Sequence, residues 1–110
     1  MRIPFRNMIY IGDSDTDIPC MKLVSSRGGY AIGVYDPVED NRTKVHNIML
    51  DGRIDYFAPA DYAANAPLGA LINKIFDHIA ATEALRAVSL SQHAEAMNAR
   101  AKAVERSIDD

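Results

Sequence analysis

Met8-Ile9-Tyr10-Ile11-Gly12-Asp13-Ser14-Asp15-Thr16-Asp17-Ile18-Pro19 is the stretch on which the reading of this chain turns. A short continuous apolar run bounded by turn residues is the pattern of a strand buried on both faces of a parallel sheet. Asp17 suits a helix N-cap, and Pro19 suits the first helical turn. The stretch therefore predicts strand, turn and helix, with Asp13, Asp15 and Asp17 alternating along the turn. Carboxylates this close repel one another unless a cation or a set of backbone N–H donors offsets the charge. Hard oxygen donors of this kind favour Mg²⁺ or Ca²⁺.

An EF-hand also begins D-x-D-x-D, but it needs Gly at its sixth position and a bidentate Glu at its twelfth. Those positions hold Ile18 and Val24, and a strand rather than a helix precedes the turn, so the spacing excludes a calcium loop of that type.

Outward from the turn, the chain reads β-α-β-α-β-α. Cys20, Met21, Leu23 and Val24 give the first helix an inward face, with Cys20 as a small core residue, and Gly28-Gly29 stops that helix. Tyr30 to Tyr35 is a second strand, and Asp36-Pro37 turns the chain into a polar stretch. Val45, Ile48 and Met49 fall at helical spacing in a short helix that Gly52 ends. Asp51-Gly52 also reads as a hairpin turn joining Ile48-Met49-Leu50 to Ile54-Asp55-Tyr56, although the spacing in front is helical rather than alternating. Ile54 to Ala58 is the third strand. From Pro67 a long helix carries Leu68, Leu71, Ile72, Ile75, Phe76 and Ile79 as an apolar stripe facing the sheet. Ser89 and Gln92 have capping-box spacing, so Leu90 to Ile108 reads as a second helix or a bent extension with a thin Met97, Ala101, Val104, Ile108 seam.

The strand, Gly12-Asp13, three residues and Asp17 resemble the last acidic motif of the haloacid dehalogenase superfamily of Mg²⁺-dependent phosphatases and phosphoryl-transfer enzymes. The resemblance is carried by Ile3 to Asp13, Thr16 to Met21, Gly28 to Tyr35 and Ile54 to Tyr62, and it is taken to cover roughly the first four-fifths of the chain. It implies a partial Rossmann-like three-layer α/β fold with a short parallel sheet and a long C-terminal helix. Residues 1–80 would be the C-terminal half of such a domain, and residues 81–110 a helical extension. Asp13 matches the metal-ligating carboxylate, Asp17 the second acid that supports the metal shell, and Mg²⁺ is the implied cofactor. Ser14 stands where the family commonly has Gly.

The family's nucleophile motif, D-x-D-x-T/V, finds only a superficial counterpart in Asp13-Ser14-Asp15, because its fifth position holds Asp17. A site that works by positioning and charge stabilisation around an attacking group needs that group. The expectation is thus a fragment of a hydrolase whose parent acts on a small phosphorylated substrate, inactive alone. The alternative is a noncatalytic α/β module that self-associates as a homo-oligomer, through an open edge at Met8 to Ile11 or through the C-terminal helix.

A net charge of −3 argues against nucleic acid and anionic membrane surfaces as partners, and no apolar run is long enough to span a bilayer. The single Cys20 suits a reducing cytoplasm. His46, His78 and His93 lie on helices without metal-ligand spacing. Lys22 and Lys44 are candidates to reach a phosphate, but neither matches the family's phosphate-holding Lys. Asp61 and Tyr62 follow the third strand, where turn and capping roles are the default.

Overall fold

One glycine device ends both short helices. The computed structural model describes residues 4–39 and 42–109, so Ile3, with which the family resemblance begins, and Asp40 and Asn41 of the polar stretch lie outside the described residues. Helix α1 (Ile18–Ser26) closes with Gly28 at φ 85°, the Gly28 amide donating to Ser25 O at 3.2 Å and the Gly29 amide to Val24 O at 2.8 Å. Helix α2 (Arg42–Leu50) closes in the same way at Gly52, φ 74°, with Gly52 N to Met49 O and Arg53 N to Ile48 O both at 2.9 Å. These paired bonds around a left-handed residue satisfy carbonyls that a helix end otherwise leaves open. The second closure also decides between hairpin and helix at Asp51-Gly52 in favour of the helix.

Strands β1 (Ile9–Gly12), β2 (Tyr30–Tyr35) and β3 (Tyr56–Pro59) form one parallel sheet in the order β1-β2-β3. Ile9 pairs with Tyr30 and Gly12 with Gly33, while Ile32 pairs with Tyr56 and Tyr35 with Pro59. Among the described residues β1 has β2 as its one neighbour. That position corrects the expectation of burial on both faces, since Ile9, Tyr10 and Ile11 are half-buried and only Gly12 is buried. The central strand β2 is the doubly covered one, buried from Ala31 to Tyr35.

The third strand starts two residues later than its apolar pattern suggested. Ile54 leaves the ladder for the core, at 4% exposure, and Asp55 takes over the ladder's bonds. Its amide donates to Ala31 O and its Oδ2 accepts from Ala31 N, each at 2.9 Å, while Oδ1 accepts from Ser25 Oγ. Ala31 and Tyr35, on one face of β2, share a cluster with Met21 of α1, Val45 and Ile48 of α2, and Ile54. In α1 Met21 and Val24 are buried and Ile18 packs against the cluster at their side; Leu23 and Cys20 are exposed, so Cys20 is not a core residue.

Helix α3 runs without a break over Pro67–Asp109. Ser89 and Gln92 therefore cap nothing: no Gly or Pro follows Gly69, and the surrounding Ala, Leu, Glu, Gln, Met and Arg favour continued helix. The chain divides within α3 into two units, Met1–Ile75 and Phe76–Asp110. In the first, Ala66, Leu68 and Ile75 are buried, with Leu71 and Ile72 half-buried; in the second, Ile79 is half-buried and Phe76 is exposed, against the expected stripe. None of the described helices is long and apolar enough to cross a membrane.

An acidic turn at the end of the edge strand

The three carboxylates of the turn meet three different fates. Asp17 is held inside it. Its Oδ2 accepts from the amides of Asp13 (3.1 Å) and Ser14 (3.2 Å) and from Ser14 Oγ (3.1 Å), and its Oδ1 accepts from the Tyr10 hydroxyl at 2.9 Å. Gly12 makes room for this arrangement, because a Cβ there would stand 2.6 Å from the Asp17 Cβ. Ser14 is the N-cap of a 3-10 turn, Asp15–Asp17, and Asp17 returns its carboxylate to the cap's amide as in a capping box. Asp17 thus serves the turn rather than capping α1, where it makes no side-chain cap bond. The Tyr10 hydroxyl first, and the Ser14 amide after it, hold the Asp17 carboxyl below the usual carboxylate range. The same bond, with desolvation, pushes the Tyr10 phenol up to about 12.

Asp15 is offset differently, by an ion pair of 3.1 Å with Lys44 Nζ on α2. Both side chains are exposed enough for the pair to contribute at most about 1 kcal/mol. Asp13 alone has no donor among the described residues. It lies just past the carboxyl end of β1 and lines a cleft of about 330 Å³ with Tyr35, Asp36, Glu39 and Ala60, the residues at and beyond the ends of β2 and β3. Carboxyl ends of parallel strands are where open α/β sheets take ligands.

This geometry restricts the ligand's chemistry. The two successive amides that would hold an anion are already filled by Asp17, and Asp13, Asp36 and Glu39 give the cleft a negative lining. A cation is the matching charge. The donor set is thin, however: among the described residues no three His, Cys, Asp or Glu side chains gather into a metal cluster. A hard ion held there would have Asp13 as its one fixed carboxylate and water for most other positions, as Mg²⁺ tolerates.

Sequence reasoning missed Tyr10 and Ser14 as partners of Asp17. Ser14-x-x-Asp17 is itself a capping-box pattern, and that spacing was the available signal; nothing local announces a hydroxyl seven residues back on the strand. Lys44 reaches the turn, but as Asp15's counter-ion. Lys22 is exposed on α1. Asp61 folds back on the Ala63 amide at 3.1 Å in an exposed loop, with Tyr62 exposed beside it. His46 lies edge-on to Phe57, and His78 and His93 are exposed on α3. Comparisons of the chain with protein-family models, with curated proteins and with solved structures give no match.

Proposed function

We propose that the acidic turn is the magnesium-holding wall of a phosphoryl-transfer site of the haloacid dehalogenase-like kind, on a Rossmann-like three-layer fold. The observation that carries this reading is the isolation of Asp13. Among the described residues it is the one carboxylate of the turn with no protein donor, and it sits at the carboxyl end of a parallel strand beside an acidic cleft. Asp13 holds the ion, while Asp17, with Tyr10 and the two amides, fixes the turn that presents it. A bound Mg²⁺ supplies positive charge against a phosphate that the bare cleft would repel. Within these 110 residues no Asp stands in a D-x-D-x-T/V context, so this chain by itself turns over no phosphate ester.

Amide shifts followed by NMR during Mg²⁺ addition test the reading. Gly12 to Asp17 should move first, saturating at millimolar ion, and the response should vanish in Asp13→Asn. Shifts centred elsewhere, or an unchanged response in that variant, would overturn it. Hydrolysis of p-nitrophenyl phosphate that depends on Asp13 would instead make the turn a nucleophile motif.

A further inference from the structure

Among its described residues the helical unit from Phe76 onward contains no buried apolar residue, and beyond Val88 its large apolar residues fall on one seam, with Leu85 and Val88 before it lying off that line. Leu90, Met97 and Val104 recur every seventh position, and Ala94, Ala101 and Ile108 follow them by four residues, with Ala87 and Ala80 extending this second series one and two heptads earlier. Because α3 does not break at Ser89, these two series form one continuous seam. Its large members stand open to solvent: Leu90 is 65% exposed, Met97 62%, Val104 53% and Ile108 77%. A sustained alternation of steps of four and three is the a/d pattern of a coiled coil, with the alanines at a and the large residues at d. On this seam Met97, Arg100, Ala101 and Val104 line a groove with His93 and Glu105 at its rims. The first four are the set that receives an a-position knob from a facing helix.

The residues flanking the seam say which helix fits. One flank carries Arg86, His93 and Arg100, and the other Ser91, Asn98 and Glu105. In a parallel pair each first-flank residue faces the second-flank residue five positions further along the partner. Arg100 then meets Glu105 of the other helix, twice by symmetry, and Arg86 and His93 meet the neutral Ser91 and Asn98. An antiparallel pair sets the basic flank against itself. Glu83 occupies the seam one heptad before Leu90, where its own copy would face it, so the seam begins after it.

We infer that residues 87–108 pair with the same segment of a second copy of this chain as a parallel two-stranded coiled coil. The occupant is self because the complementarity lies between the helix's own two flanks. Alanine layers bury little area over three heptads, so association falls in the micromolar range rather than below it.

Sedimentation equilibrium of the full chain across a concentration series, with reductant present because Cys20 is exposed, tests this. The wild-type chain should pass from monomer to dimer. Met97→Glu should remain monomeric with unchanged far-ultraviolet circular dichroism per residue. Arg100→Glu should weaken the dimer by about tenfold, and Arg100→Glu with Glu105→Arg should restore it. A wild-type monomer at every concentration would overturn the inference. So would a dimer that survives Met97→Glu, which would place the contact elsewhere, as at the open edge of β1. A dimer tightened by Arg100→Glu would overturn the parallel arrangement.

Discussion

Residues up to Ile75 and residues beyond it solve the folding problem by different means. All six glycines and all five prolines lie at or before Gly69, and among the described residues every buried apolar one lies at or before Ile75. In the first unit, punctuation cuts the chain into short elements that are too weak to stand alone and are held by what they bury. In the second, strong helix formers continue the helix without a buried apolar side chain and leave its apolar seam outside. Identical substitutions should therefore have unequal effects in the two units.

Two methionines give the largest contrast. Met21 is 1% exposed at the centre of the cluster formed by α1, α2 and β2, so Met21→Ala should cost about 2–5 kcal/mol in urea unfolding. Met97→Ala, measured where the chain is monomeric, should stay within about 0.5 kcal/mol of wild type. Comparable losses would mean that the second unit has a core of its own. The two serines with capping-box spacing come next. Ser14→Ala should destabilise by about 1 kcal/mol, because the Ser14 hydroxyl supports the Asp17 carboxylate, while Ser89→Ala in mid-helix should be neutral or slightly stabilising. A cost at Ser89 equal to that at Ser14 would indicate a helix start there in solution.

The smallest effect is on pH dependence. Asp17 has a lowered folded pKa, so its contribution is present above the unfolded value of about 3.9 and is lost as pH falls through the folded value. Tyr10→Phe removes the leading cause of that lowering and should shift acid unfolding to slightly higher pH, with the Asp17 carboxyl carbon titrating later on acidification from neutral in the wild-type chain than in the variant. Superimposable titrations would remove Tyr10 from the turn. At the alkaline end, Tyr10 has a raised pKa, so its contribution is complete below about pH 10 and fades as pH rises through about 12.

Much of this division was legible in the residues. The glycine stops, the strand-turn-helix and the start at Pro67 follow from local rules, and local rules built those elements. What failed was what depends on neighbours. Whether Met8 to Ile11 is covered on both faces depends on strand order, which its own apolar run does not encode. Asp55 looked like a strand residue because side-chain bonds to the facing backbone leave no mark on periodicity. Ser14-x-x-Asp17 and Ser89-x-x-Gln92 have similar spacing, yet only the first has a glycine two residues before its serine, and the missing side chain of Gly12 is what leaves space for the Asp17 carboxylate to fold back. The site was legible as far as Asp13 and Asp17 on one turn; that Asp15 and Asp17 are neutralised from within, leaving Asp13 alone, required the contacts of Lys44 and Tyr10.

The strand order also sets a hierarchy in how the backbone exchanges its hydrogens. The amides of β2 lie in the middle of the sheet and open only when the whole first unit opens, so they set the upper limit of exchange protection. In the monomer, those beyond Ile75 belong to a stretch of helix whose described residues bury no apolar side chain, and they are released by fraying. A slowly exchanging β2 and a fast α3 end in one spectrum would mark a chain whose parts are joined covalently while unfolding on separate clocks.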